Sequence, residues 1–502
     1  MERDSVTCPT APNIIFAMSD QVRADFTKGV GFALDTMPFL DSIAAQGTRF
    51  RRAYTTAPAC VPARTSLLTG RWPSTHRIRQ NSNTGATLVS RGDDLIDVLR
   101  GAGYQLFYSG KTHMYRNDPA DYDAFSEYGH TKGPDTTTEQ RAFTAYLNSI
   151  DMGPTTAPTP FPAEQQYPYR IVSDAIQQID ARDPGKPFFA FVSTPEPHNP
   201  YQVSEPYFSM FPEDTIPDRI SGPEAAENKG GAYKWLRDLV QEKRPGYDDI
   251  WRRYLASYCG MLRLIDDQWR RLVDHLKDQG LWENTLVVFL ADHGDYTAEY
   301  GLQRKGAGIP EVLAHIPMIV HGCGVKANDN TTDFVSIADI LPTVCEAIGR
   351  PIPLGVQGRS MWQMLTGSGY PAAEFADIVT ERGYGGLPYP DDARPPLHFP
   401  YEGTRYDELN SVTQSGSSRM LRHDHWKLYE HVGDDGELYD LAKDPMELHN
   451  RWDDPSLRKV KADLTQRLQR WSVRLTDDLP KGQYNARLAP HNWYRTAEED
   501  GA

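Results

Sequence analysis

Cysteine is scarce in this chain. Five cysteines, at positions 8, 60, 259, 323 and 345, are scattered over 502 residues. An odd number at such wide spacing argues against a disulfide framework and fits a reducing compartment. Long apolar runs are missing too, since no stretch approaches the roughly 20 residues that a membrane-spanning helix needs. The N-terminus, Met1-Glu2-Arg3-Asp4, leads straight into polar residues with no secretory signal visible, so a cytoplasmic location without a membrane partner is expected. Positive charge is in deficit: 53 Lys and Arg against 68 Asp and Glu give a formal net charge of −15, which makes nucleic acid an unsuitable partner. The same field repels anions, so any anion site must build its own local positive potential. Internal repeats and low-complexity tracts are absent as well. What is left, 39% hydrophobic and 24% charged, describes a globular chain long enough for one large α/β domain and a smaller one.

The most informative stretch is Ala59-Cys60-Val61-Pro62-Ala63-Arg64-Thr65-Ser66-Leu67-Leu68-Thr69-Gly70. Pro62 suits a first helical turn, Leu67 and Leu68 begin an apolar face and Gly70 is a natural stop, so a short helix with Cys60 at its N-terminal edge is predicted. Unpaired N–H groups and the positive end of the helix dipole favour an anion beside Cys60. Arg64, one turn on, adds a fixed positive charge from the same face. A sulfur or its derivative beside an anion-binding helix end is a nucleophile candidate, although a lone cysteine at a helix start is ordinarily a packed structural residue. A cysteine-thiolate phosphatase needs a longer loop between Cys and Arg than the three residues present here.

Other candidates follow strand-like runs. Asn13–Met18 reads as a buried strand ending at Ser19-Asp20-Gln21, and Tyr104–Ser109 delivers Gly110-Lys111-Thr112-His113, with Lys111 and His113 on one side of an extended segment. Pro187–Ser193 reads as a central strand before a proline-ringed His198, and Thr285–Leu290 ends in Ala291-Asp292-His293-Gly294-Asp295. In a mostly parallel sheet the strand carboxyl ends share one edge, so these loops and Cys60 can meet in one cleft. Each residue alone has an ordinary explanation: Asp20 as a helix cap, Lys111 and His113 as surface groups, His198 as a packed loop residue. Adjacent carboxylate and imidazole at a strand end suggest a metal site.

Taken together, Cys-x-Pro-x-Arg with Leu-Leu-Thr-Gly, Gly-Lys-x-His and Asp-His-Gly closely resemble the type I, formylglycine-dependent sulfatases of the alkaline-phosphatase-like superfamily. The resemblance covers residues 12 to 350 well and the remainder more loosely. It implies an α/β sulfatase-like fold, with a large, mostly parallel sheet flanked by helices, and a small C-terminal α+β subdomain with an antiparallel sheet. The expected division is 1–375 for the catalytic domain and 376–502 for the subdomain. The resemblance also implies a metal site of Asp20, Gln21, Cys60, Asp292 and His293, taking Ca2+ or alternatively Mg2+ or Mn2+, although imidazole is a poor calcium ligand. Cys60 becomes formylglycine through a formylglycine-generating enzyme; its hydrate attacks sulfur, and Arg64, Lys111 and Lys305 neutralise the equatorial oxygens. His198, helped by Lys305, protonates the leaving alcohol, and His113 then deprotonates the second hydroxyl to expel sulfate. Asn81, together with Lys111, His198 and Lys305, binds the substrate. His76 stands at a family-like distance behind the cysteine, Glu311 and Pro317 fit the downstream pattern, and His315 stands where the family often has arginine.

Gln21, in place of a second carboxylate, and the loop pattern Gln21-x-Arg23-x-Asp25 look like choline-sulfatase and phosphonate-monoester-hydrolase branches. The leading expectation is a sulfate monoester hydrolase acting on a small-molecule sugar, aryl or small-alcohol sulfate; the runner-up is a phosphonate monoester or phosphodiester hydrolase, which Lys111 and His113 disfavour. A catalytically dead binding protein of the same fold would have lost the nucleophile or a metal ligand, and none is lost. A homo-oligomer is compatible with the sequence. Elsewhere, Met37–Gln46, Asp94–Gly101, Tyr169–Arg182, Trp251–Asp278 and Ser336–Ile348 read as helices and Phe50–Tyr54 and Ile316–His321 as strands. Asp377–Thr380, Ser418–Glu430 and Glu437–Leu441 read as antiparallel strands before an amphipathic helix marked by Leu457, Val460, Leu464, Leu468 and Trp471. Residues 115–168, 201–249 and 380–415 are expected to be irregular pocket walls, and the tail from Lys481 to lie along the surface.

Overall fold

The structure is a computed structural model and describes residues 11–81, 92–395, 411–433 and 436–477. Nine strands build or flank the first core: β1 (Asn13–Asp20), β2 (Thr48–Phe50), β3 (Ala53–Tyr54), β4 (Gln105–Lys111), β5 (Ala124–Tyr128), β6 (Phe188–Pro197), β7 (Thr285–Ala291), β8 (Met318–His321) and β9 (Asn328–Asn330). Eight of them form one sheet in the order β5-β4-β6-β1-β7-β8-β2-β9, and only β8 runs against the others. β1, β6 and β7 are buried along their whole length, as strands covered on both faces must be, and this explains their unbroken apolar runs. Phe16 packs edge-on against Phe189 and Phe191 of the neighbouring strand, with ring centres 5.0 and 5.7 Å apart. Helices Pro38–Ala44, Tyr167–Asp180 and Tyr247–Asp278 form one packed group against this sheet, and the Cys60–Thr69 helix packs with Leu95–Gly101 and Ile340–Ala347 in another.

β3 pairs instead with β10 (Val335–Ser336). A separate antiparallel sheet, β11 (Asp377–Arg382), β12 (Ser418–His423), β13 (Trp426–His431) and β14 (Glu437–Asp440), packs with the helix Arg458–Thr476. Ile378, Val379, Leu421 and Leu428 of this sheet and Leu464 and Trp471 of the helix join Tyr54 and Trp72 from the first half of the chain in a second core. The expected architecture is therefore present.

Several expectations need correction. Residues 115–168 are not an irregular insertion: β5 extends the main sheet beside β4, and Thr138–Ser149 is a helix whose cap, Thr137 with Gln140, is a reciprocal capping box. Residues 201–249 contain the helix Gly231–Lys243, and the long helix starts at Tyr247, before Trp251. Phe50–Tyr54 is two short strands in different sheets, because the chain turns at Arg51 and Arg52. His113 lies at φ +35°, outside extended geometry, so Lys111 and His113 do not share a strand face. Cys323 is disulfide-bonded, while Cys60, Cys259 and Cys345 are free. The tail from Lys481 lies outside the described residues.

Candidate active site

β4, β6, β1 and β7 are adjacent and parallel, so their carboxyl ends form one edge. Asp20 ends β1, Lys111 ends β4, His198 follows β6, and Asp292 and His293 follow β7. Cys60 is the first residue of its helix and has no solvent exposure. Its Sγ lies 3.2 Å from His293 Nε2, 3.5 Å from Lys111 Nζ and 3.7 Å from Asp20 Oδ1. One ligand atom each from Asp20, Cys60, Asp292 and His293 falls within 4.8 Å of the others.

The tautomer of His293 follows from its partner. Its Nδ1 is 2.8 Å from the Gly294 carbonyl, which can only accept, so in the neutral ring Nε2 carries the lone pair that faces Cys60. The two carboxylates titrate apart. Burial, then Asp292 and Cys60, raise Asp20 against the opposing Lys111 and Arg64. For Asp292, burial is outweighed by His293, Arg64 and Lys111, which hold it below the usual carboxylate range. Burial raises the Cys60 thiol, but Lys111, Lys305 and His293 overcome it and leave the thiol well below its ordinary value. Two buried carboxylates and an imidazole lone pair converging on one point fit a divalent cation.

Arg64 extends from the second turn of the helix with no exposure. Its Nε donates to Asp292 Oδ2 at 2.8 Å, Nη2 to Asp20 Oδ2 at 3.3 Å, and Nη1 to Lys111 O and Ser193 Oγ, both at 2.8 Å. All three nitrogens are engaged within the protein, so this guanidinium fixes the carboxylates rather than offering its whole charge to an incoming anion. Lys111 Nζ hydrogen-bonds to Asp20 Oδ2 as well as facing Cys60. Asn81 Oδ1 accepts from Val61 N at 2.9 Å, satisfying one orphan donor of the Cys60 helix, and its buried Nδ2 has no partner among the described residues.

On the other side of the cleft, Lys305 Nζ is 2.9 Å from Gln21 Oε1 and 3.0 Å from His198 Nε2. His198 Nδ1 faces the Asn199 carbonyl at 2.9 Å, so Nε2 is the nitrogen that accepts from the lysine. Burial, then His130, Lys305 and Lys111, hold His198 well below the ordinary histidine value. Gln21 (φ +70°) is oriented by its amide N–H groups, which donate to Asp295 Oδ2 at 2.6 Å and Tyr201 OH at 3.3 Å, so its oxygen turns to Lys305. Asp295 in turn accepts from Tyr254 OH at 2.8 Å and Thr297 N at 2.7 Å.

His130 has no counterpart among the sequence candidates. Its ring stacks on His198 at 3.8 Å between centres and meets His113 edge-on at 5.5 Å. It lies two residues beyond β5, and the strand-end rule that places Lys111 places His130 too once Ala124–Tyr128 is read as a strand. His113 has a buried Nδ1 with no partner among the described residues, and burial together with Lys111 keeps the ring far below its ordinary pKa. Four motif residues instead hold the scaffold. His76 bridges to Ser66 Oγ at 3.0 Å behind the Cys60 helix, and Arg23 forms a two-point pair with Asp25 at 2.6 and 2.8 Å. His315 stacks on Tyr54 and donates to Arg51 O at 2.8 Å.

A family model described as "Sulfatase" matches residues 12–350, and one described as "N-sulphoglucosamine sulphohydrolase, C-terminal" matches residues 398–474. The Multifunctional alkaline phosphatase superfamily protein PehA of Trinickia caryophylli is 27% identical over 521 residues, covering 93% of this chain and 96% of that one. An Arylsulfatase of Clostridium perfringens is 26% identical over 471 residues, covering 88% and 90%. The crystal structure of the phosphonate monoester hydrolase of Agrobacterium radiobacter superposes with a TM-score of 0.76 at 23% identity, covering 92% and 96%, a likeness of fold.

Proposed function

The chain belongs to the sulfatase family, and from that premise we propose that it hydrolyses sulfate monoesters, R–O–SO3− to alcohol and sulfate. The observation that carries this reading is the surroundings of Cys60 Sγ, which has His293, Lys111 and Asp20 within 3.7 Å at a helix N-terminus. Cys60, matured to formylglycine by a formylglycine-generating enzyme, would supply an oxygen nucleophile where Sγ now stands. A divalent cation, calcium or alternatively magnesium or manganese, would be held by Asp20, Asp292 and His293 with Gln21 beside them, and would supply Lewis-acid activation.

The remaining work falls to the chain's own side chains. Arg64 keeps Asp20 and Asp292 in register. Lys111 and Lys305 neutralise charge that builds on the transferred group, and Asn81 Nδ2 offers a further donor beside the helix end. The His198–Lys305 couple holds one proton on its 3.0 Å contact and delivers it to the departing alcohol oxygen. His113, whose Nδ1 has no partner among the described residues, accepts the proton released as sulfate leaves. Division into a catalytic domain over 1–375 and a subdomain over 376–502 belongs to the same reading, and the second core around β11–β14 supports it.

Phosphonate monoester or phosphodiester hydrolysis is the second reading. It is favoured by the neutral amide of Gln21, held by Asp295 where a second acid would bring charge. The test compares kcat/KM for an aryl sulfate and an aryl phosphonate monoester with the same leaving group, on one calcium-supplied preparation. Preference for sulfate is expected; preference for the phosphonate overturns the assignment.

A further inference from the structure

His130 touches both histidines to which a proton step falls. Its ring lies on His198 with centres 3.8 Å apart and planes 24° from parallel, and it meets His113 edge-on at 5.5 Å and 84°. The backbone that carries it is held firmly. β5 pairs with β4 so that Tyr128 stands opposite Lys111, and His130 follows two residues on. Thr112 Oγ1 donates to Glu127 Oε1 at 3.1 Å, Tyr128 OH to Asp174 Oδ2 at 2.8 Å, and Gly129 N to Lys132 O at 2.7 Å. The short loop that bears His130 is thereby tied to β4, to the helix Tyr167–Asp180 and to itself. A side chain mounted on fixed backbone can impose an orientation on its neighbour.

His198 needs such a neighbour to fix its plane. Its Nδ1 contact to Asn199 O and its Nε2 contact to Lys305 Nζ set where the two nitrogens point. Tilting about the line that joins those contacts is resisted only weakly by them. A stacked ring resists it directly, because a tilt drives atoms of one face into the other or opens a gap between them. His130 does not need a charge for this. Burial, then Lys111, His113 and Lys305, hold it well below the ordinary histidine value, so the ring is neutral at neutral pH. Nor can it pass a proton to His198 by direct contact. Imidazole lone pairs and N–H bonds lie in the ring plane, and stacked faces present neither to one another.

We propose that His130 is a positioning residue for the proton donor, holding His198 in the plane from which Nε2 serves the departing alcohol oxygen. The proposal rests on the reading of His198 as that donor and adds the group that aims it. A misaimed donor slows only the esters that need one, since a leaving group as acidic as nitrophenol departs without protonation.

Two sulfate esters, one of an alkyl alcohol and one of nitrophenol, read the effect. His130→Ala is expected to lower kcat on the alkyl ester about tenfold or more, and to change its KM and the nitrophenyl ester less than about threefold. His130→Phe, which keeps a ring and has no nitrogen, is expected to restore most of the loss. If the alanine variant does not fold, His130→Leu, which fills the space without a flat face, carries the same comparison. In a His198→Gln background His130→Ala is expected to slow turnover no further, because its effect runs through His198. Where His198→Gln is itself selective for the alkyl ester, three results overturn the proposal: equal losses on both esters, no restoration by Phe, or a fully additive loss in the double variant. If the protein prefers phosphonate monoesters, the same two alcohols as phosphonate esters give the same test.

A crystal structure of the alanine or leucine variant separates this proposal from the reading beneath it. The His198 ring is expected to tilt or to occupy more than one orientation, with Lys305 and Asn199 left in place. A ring that keeps its wild-type plane overturns the proposal. A ring that tilts, in a protein whose His198→Gln variant shows no selectivity for the alkyl ester, supports the positioning and removes His198 as the proton donor.

Discussion

Acid is expected to loosen the support of the Cys60 helix, and His76 sets how steeply. This residue closes the short helix Pro73–His76, has no exposure, accepts at Nδ1 from Ile78 N at 3.2 Å and faces Ser66 Oγ with Nε2 at 3.0 Å. Because Nδ1 accepts, Nε2 carries the proton and the ring is neutral. Burial, reinforced by Arg71 and Arg79, pushes its pKa from 6.5 down to about 3. The folded pKa is thus depressed below the unfolded one, so below pH 6.5 the unfolded chain takes up a proton that the native chain refuses. Stability is complete above pH 6.5 and is lost as pH falls towards 3, at about 1.4 kcal/mol per unit and roughly 5 kcal/mol in all. That is comparable to the whole stability of many proteins, about 5–15 kcal/mol. Urea denaturation of wild type and His76→Gln over a pH series measures it, since the other buried histidines titrate alike in both. Wild type is expected to lose about 2.7 kcal/mol relative to the variant over two units below pH 6.5. A difference that does not change with pH refutes the argument.

Four further outcomes follow from the site. Cys60→Ala is expected to abolish turnover with the circular dichroism spectrum intact; a rate loss under about tenfold, roughly 1.4 kcal/mol of barrier, contradicts a nucleophile. His198→Gln is expected to slow esters of poorly acidic alcohols by about 10²–10⁴ and nitrophenyl sulfate far less, and equal losses on both would remove His198 as the proton donor. Arg64→Gln leaves Asp20 and Asp292 buried without their guanidinium, which is expected to cost about 3–5 kcal/mol in chelator-treated protein; under about 1 kcal/mol in urea titration tells against the clamp. Chelation is expected to abolish activity and calcium, magnesium or manganese to restore it, whereas full activity with no metal by elemental analysis would discount the donor cluster.

How much of this was legible in the sequence depends on how local the signal is. Asp20, Lys111, His198 and Asp292 each follow an apolar run, and a parallel sheet turns that shared position into shared space. Position did not disclose use. Arg64 looked like a charge for the substrate, but its partners Asp20, Ser193 and Asp292 are far away in the chain, and only the fold shows that they take up all three of its nitrogens. His130 was hidden because Ala-Phe-Ser-Glu-Tyr, a five-residue strand only partly buried, lacks an apolar run, so its loop had no strand end to be assigned to. The helix Thr138–Ser149 carried a readable signal, the Thr137–Gln140 capping box, inside a stretch whose Pro and Thr content masked it. The disulfide at Cys323 reflects the same limit, since odd and scattered cysteines exclude a framework but not a single bond.

The burial of Cys60 orders events in the life of the chain. A side chain with no exposure, ringed by Asp20, Lys111 and His293 at the head of its helix, cannot be handed to another enzyme once those neighbours are in place. On the proposed chemistry, oxidation of Cys60 would therefore precede closure of the main sheet's edge around it. On that reading the cysteine would be open to modification while His293 is still being made or is not yet in place, and closed to it afterwards. Protein that folds ahead of its maturation would be well formed and permanently inactive, and no later addition of the oxidising enzyme would recover it without unfolding.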